Sequence, residues 1–120
     1  MEQPALEAIC ALLEEEQESS FYRDSWNPDA WRMTNDGMTY KLCQHKNHKG
    51  GLLAMGLAVY SGDFLVDSHH APSSDQAFSL LLRTYERITQ EINAYRKERE
   101  LGNRDGATAA WQRILNELQQ

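Results

Sequence analysis

Apolar residues fall into two rhythms along this chain: a helical one at either end and an extended one between. Near the start, Leu6, Ile9, Cys10 and Leu13 recur at three- and four-residue spacing, and Pro4 suits a first helical turn. This predicts a helix over about residues 4–19, with Glu7, Glu14 and Glu18 toward solvent. From Trp31 the period changes. Trp31 to Met33 and Met38 to Leu42 flank Thr34-Asn35-Asp36-Gly37, a hairpin signal in which Gly37 takes positive φ. The polar, glycine-ended stretch His45 to Gly51 reads as a loop. Leu52 to Tyr60 is a nearly continuous apolar run, as in a strand buried on both faces, and Gly56 within it marks a bulge or a close backbone approach. Ser61-Gly62-Asp63 turns the chain into a last strand, Phe64 to Ser68.

The helical period then returns. Phe78, Leu81, Tyr85, Ile88, Ile92 and Tyr95 form one stripe, Ser73 and Gln76 have capping-box spacing, and Gly102 is placed to end the helix, predicted over about 75–100. Ala107, Ala110, Trp111, Ile114, Leu115 and Leu118 share a face of a further helix over about 104–118, which the short Leu101-Gly102-Asn103 link would fold back. The expectation is an α+β single domain over residues 1–120: an N-terminal helix, a four-stranded antiparallel meander and two antiparallel C-terminal helices.

With 120 residues, 41% of them hydrophobic and 25% charged, the chain has apolar content for one core and too much for a disordered tail. No apolar run approaches the roughly 20 residues that span a bilayer, and Met1-Glu2-Gln3-Pro4 lacks the basic start of a secretory leader, so a cytoplasmic protein without membrane contact is expected. Cys10 and Cys43 are too few for a disulfide framework and read as reduced thiols.

The net charge of −6 is concentrated at one end, for Glu2, Glu7, Glu14, Glu15, Glu16 and Glu18 precede the first basic residue, Arg23, and the rest of the chain balances. Such a balance opposes direct nucleic-acid binding, and Ser73-Ser74-Asp75-Gln76 at a helix start places an acid where phosphate contacts need lysine. The acidic run also sits in the second half of a predicted helix, where the helix dipole disfavours negative charge. Immediately after it, Phe21, Tyr22, Trp26 and Trp31 crowd around an Asn27-Pro28 turn signal.

Catalytic motifs are weak. Ser68, His69, His70, Ser73, Ser74 and Asp75 form no nucleophile elbow, Gly50-Gly51 lacks the following helix of a phosphate loop, and Glu14-Glu15-Glu16 on an exposed helix would stay ionised. Cys43 with His45 or His48 lacks a third, orienting group. The expectation is therefore a non-enzymatic protein-binding module without cofactor, an inhibitor or regulator of immunity or anti-defence type. It would occupy a basic surface of a partner macromolecule, nucleic-acid-binding proteins included, through Glu14, Glu15, Glu16, Glu18, Phe21, Tyr22, Trp26 and Trp31. Two alternatives stand beside it. One is a zinc-binding domain or small metal-dependent enzyme using Cys43, His45 and His48 with His69 or His70, although Lys46 and Lys49 would repel the cation. The other is a structural homodimer through the C-terminal helices.

Overall fold

The computed structural model describes residues 1–119 and is α+β. Helix α1 (Gln3–Glu15) leads through a 3-10 turn (Glu18–Ser20) to strands β1 (Phe21–Arg23), β2 (Ala30–Asn35), β3 (Met38–Lys46), β4 (Leu52–Ser61) and β5 (Phe64–Pro72), and helix α2 (Phe78–Leu118) follows. The five strands form one antiparallel sheet in chain order.

Alternation along the strands assigns the two faces. Trp31, Leu42, Leu57 and His69 stand opposite one another across β2 to β5 on one face, and Ala30, Cys43, Gly56 and His70 do so on the other. The first face carries Trp31, Met33, Leu42, Met55 and Leu57, which are buried with Leu6, Cys10 and Leu13 of α1 and Leu81, Tyr85, Ile88 and Ile92 of α2. Both helices therefore lie on that face, and the other is open.

Several expectations hold. The β2–β3 hairpin turns at Asp36 (φ 51°) and Gly37 (φ 75°), the positive pair of a type I′ turn. The stripe from Phe78 to Ile92 packs on the sheet. Six differences have physical causes. Helix α1 ends at Glu15, with Glu16 extended (φ −73°, ψ 153°), because Glu14, Glu15, Glu16 and Glu18 crowd negative charge at the negative end of the helix dipole. The sheet has five strands, not four, since Phe21–Arg23 pairs with Trp31–Met33. Strands β3 and β5 continue through Cys43–Lys46 and His69–Pro72, polar segments whose ladder partners on β4 are supplied by the long apolar run. Helix α2 starts after Ala77 with no side-chain cap: the Ser73–Gln76 capping box does not form, and Asp75 Oδ1 instead accepts the Ala77 N–H at 2.8 Å in the turn before the helix. Gly56 makes no bulge: the ladder shifts register at His45/Lys46 and at Val59/Tyr60.

The sixth difference changes the shape of the molecule. The two predicted C-terminal helices are one, 41 residues long, about 60 Å at 1.5 Å per residue. Glycine permits a left-handed stop without requiring one, and Gly102 and Gly106 remain helical at about 1 kcal/mol each relative to alanine. Buried positions on α2 end at Ile92. The radius of gyration, 19.5 Å, exceeds the ~14 Å of a compact chain of this length, because the second half of α2 projects as an arm.

The seam of α2 on the sheet centres on Trp31, which is 1% exposed. Its indole N–H donates to Thr89 Oγ1 at 2.9 Å, and that hydroxyl donates to the Tyr85 carbonyl. The Arg23 guanidinium stacks 3.6 Å from the ring centroid, and Arg96 stands 5.8 Å away. Thr89→Val leaves the indole N–H unpaired in the core; a loss of about 1–3 kcal/mol is expected in urea unfolding, and an unchanged midpoint would refute this account of the seam.

Candidate functional site

The residues marked in the sequence as partner-facing divide between surface and core. Trp31 must be withdrawn from that set: it is buried beneath α2, and no partner can reach it. Phe21 is half-buried, since its position on β1 opposite Met33 faces the helices. Tyr22 is on the open face, 45% exposed, with its hydroxyl 3.2 Å from Thr34 Oγ1. Trp26 is 93% exposed.

Full exposure of a tryptophan on a loose loop would mean little, but this one stands on a turn held from beneath. Asp24 is a buried carboxylate, 6% exposed, at the end of β1. Its Oδ2 accepts the N–H groups of Trp26 (3.1 Å) and Asn27 (2.9 Å), and it pairs with Arg32 at 3.2 Å and Lys41 at 3.7 Å. Asn27 in turn accepts from Asp29 N–H, and the Asp29 carboxylate pairs with Lys46. Burial alone would push the Asp24 carboxyl up. The N–H groups of Asn27 and Trp26, followed by Lys41 and Arg32, outweigh it and hold the group below its ordinary value.

At the other end of β1 lie the acids. Glu14 pairs with Arg87 at 3.6 Å, whereas Glu15, Glu16 and Glu18 have no ion pair among the described residues. Strand β1 is three residues long, so the acidic segment and Trp26 flank a strand of roughly 10 Å. It is also an edge strand, its outer side unpaired in the sheet. Along the chain, Glu15, Glu16 and Glu18 thus precede this edge strand, Tyr22 lies on it and Trp26 follows it.

A second feature lies on the open face, where Lys41, Cys43, His45, Gly56, Tyr60, Ser68 and His70 line a shallow depression of about 250 Å³. That is smaller than the roughly 300–1,000 Å³ of most small-molecule sites. Gly56 is its floor: a Cβ there would lie 2.9 Å from Cys43 Sγ and 2.8 Å from His45 Nε2. The close approach expected at this glycine is therefore made by side chains. Cys43 donates to the Gly56 carbonyl at 3.6 Å and stands 3.4 Å from His45 Nε2. Burial raises the Cys43 thiol, so it stays protonated at neutral pH. Burial first, then the charges of His70 and Lys41, lower the His45 imidazole, so it stays neutral. In the free protein both partners of this contact are therefore uncharged at neutral pH. The sequence-derived metal set is also divided. His70 joins Cys43 and His45 on the open face, its ring centroid 5.4 Å from that of His45. His69 faces the helices beside Asp75 at 3.4 Å, and His48 lies in the β3–β4 turn. Among the described residues no three His, Cys, Asp or Glu side chains are placed to hold a metal ion.

The third feature was legible only in part. On the arm, Leu101, Trp111, Ile114 and Leu118 are 48%, 56%, 46% and 75% exposed. Edge strand β5 also shows apolar side chains, Phe64, Leu65 and Val66. Among the described residues no helix is long and apolar enough to cross a membrane. The architecture is an antiparallel five-stranded meander covered on one face by two helices, and no protein-family model, curated protein or solved structure matches this chain.

Two outcomes test this geometry. Asp24→Ala should cost about 2 kcal/mol or more. Because the folded carboxyl is held low, its contribution is complete above the unfolded value near 3.9 and is lost as pH falls through the folded value; the variant should show a flatter acid limb in pH-dependent unfolding. In a proton NMR titration His45 should turn over below the ordinary histidine value of about 6.5, and His70→Ala should move it upward. A His45 midpoint above that value would contradict the environment described.

Proposed function

We propose that this chain is a small non-enzymatic protein-binding module, an inhibitor or regulator that occupies a basic surface of a partner macromolecule with its β1 edge. The observation that carries the reading is Trp26, 93% exposed on a turn that a buried carboxylate holds in place. Exposing an indole has no benefit to folding, whereas a preorganised aromatic anchor loses little entropy on binding. Glu15, Glu16 and Glu18 add unneutralised negative charge at the other end of the same strand. Charge would speed encounter with a basic partner and Trp26 would slow release. The raised Cys43 thiol and lowered His45 imidazole favour this over a catalytic reading, and the division of the histidines favours it over a zinc site.

The test is capture from a lysate of the native host by tagged wild type, Trp26→Ala and a Glu15/Glu16/Glu18→Lys variant, followed by titration of the captured protein. A partner with a basic surface, bound about 30-fold more weakly by Trp26→Ala and with reduced salt dependence by the charge-reversal variant, is the expected result. Equal capture by all three baits would overturn the reading.

A further inference from the structure

An exposed helical arm is a physical problem before it is a site. Most helical stability in proteins comes from packing of an apolar face, and this arm, unpacked, contains Gly102, Asn103, Asp105, Gly106 and Thr108, all poor helix formers. Beyond Tyr95 every described residue is exposed except Ala110 and Leu115, which are half-buried, so nothing in the chain itself packs on the arm. Its apolar side chains are also not a continuation of the seam. At 100° per residue, Leu101, Trp111, Ile114, Leu115 and Leu118 centre roughly a third of a turn away from Leu81, Tyr85, Ile88 and Ile92. The arm has an apolar face of its own, pointing away from the direction of the sheet.

We propose that this face is covered by the same arm of a second copy, in an antiparallel helix pair. Three observations select that occupant. The first is spacing: Leu101, Arg104, Thr108, Trp111, Leu115 and Leu118 recur at alternating three and four residues, the seam of a two-stranded coiled coil. Run antiparallel, this seam pairs Leu101 with Leu118 of the second copy, Arg104 with its Leu115 and Thr108 with its Trp111. Trp111 then meets a smaller residue and Leu115 a longer, flexible one, Leu118 meets a leucine of its own size, and Ile114 flanks Ala107 of the second copy.

The second is charge. Arg104 is the only charged residue in the seam, and its one ion-pair partner among the described residues is Glu100, at 3.6 Å with both side chains about 70% exposed. A parallel pair would set Arg104 against Arg104. The antiparallel pair separates the two by roughly 16 Å and lays each along the last turn of the other helix, where the dipole is negative. The third is area. The exposed parts of Leu101, Trp111, Ile114 and Leu118 amount to roughly 450 Å² per copy, so two copies reach about 1,000 Å² with the smaller side chains included, the lower bound for a specific interface. Two heads would lie at opposite ends of the pair, leaving both β1 edges free. Dimerisation is thus independent of the partner binding proposed above.

Light scattering on the purified full chain at tens of micromolar should give twice the 13.8 kDa chain mass, and Trp111→Glu should give the chain mass itself. That variant should lose helical circular dichroism from the melted arm while, in a Trp26→Phe background, the remaining Trp31 fluorescence stays that of a buried indole. Orientation is read by mixing Leu101→Cys and Leu118→Cys chains under oxidation: the mixed disulfide is expected, with little 101–101 product. A monomeric wild type, a dimer that survives Trp111→Glu as an edge pairing through β5 would, or predominant 101–101 cross-linking would each overturn the proposal. If wild type is monomeric but partner capture is lost with Trp111→Glu, the arm's occupant is a different protein and the second-copy assignment fails.

Discussion

The contact on which the rest of the molecule depends is the seam between α2 and Trp31. A five-stranded antiparallel meander has two faces, and a chain of this size carries enough apolar surface to cover one of them. Trp31 decides how it is covered. The indole offers one apolar body and one donor, and Thr89 is placed to take the donor while Tyr85 and Ile88 pack alongside. Arg23 and Arg96 close over the ring from β1 and α2, so the cation–π contacts tie the edge strand and the helix to the same residue. Where this seam stops, burial stops, and α2 leaves the sheet as a free helix.

A division of labour follows from that arrangement. The covered face holds the fold, strand β1 has an exposed indole on the turn after it and carboxylates in the segment before it, and the arm presents an apolar stripe away from both. Asp24 links the first two, because the same carboxylate that shapes the β1–β2 turn neutralises Arg32 and Lys41 on the open face. Those two cations would otherwise offset the acidic character of the edge. On the open face, burial raises the Cys43 thiol and lowers the His45 imidazole, so the two side chains meet uncharged at neutral pH.

How far the site was readable depended on the range of the interaction that places each residue. Tyr22 and Trp26 were marked as surface anchors by type and by their turn signal, and both are exposed. Trp31, equally aromatic and five residues on, is buried, because a strand position facing Thr89 is set by a residue distant in sequence. The Cys43, His45 and His70 grouping was half visible, since a two-residue strand period puts Cys43 and His45 on one face. His69 and His70, adjacent in sequence, were interchangeable until the β4–β5 register sent them to opposite faces.

By itself the sequence determined the helical and extended periods, the Asp36-Gly37 turn, the stripe from Phe78 to Ile92 and the unequal distribution of charge. All are local, since a helical wheel, a pleat and a positive-φ turn need only neighbouring residues. Only the tertiary structure decided that Phe21–Arg23 becomes a strand, that Trp31 is core, and that Leu101–Asn103 continues a helix instead of folding back. Each is a choice between conformations that the local chain tolerates almost equally. An edge strand exists only if its neighbour is free to pair, and a glycine ends a helix only when packing rewards the turn.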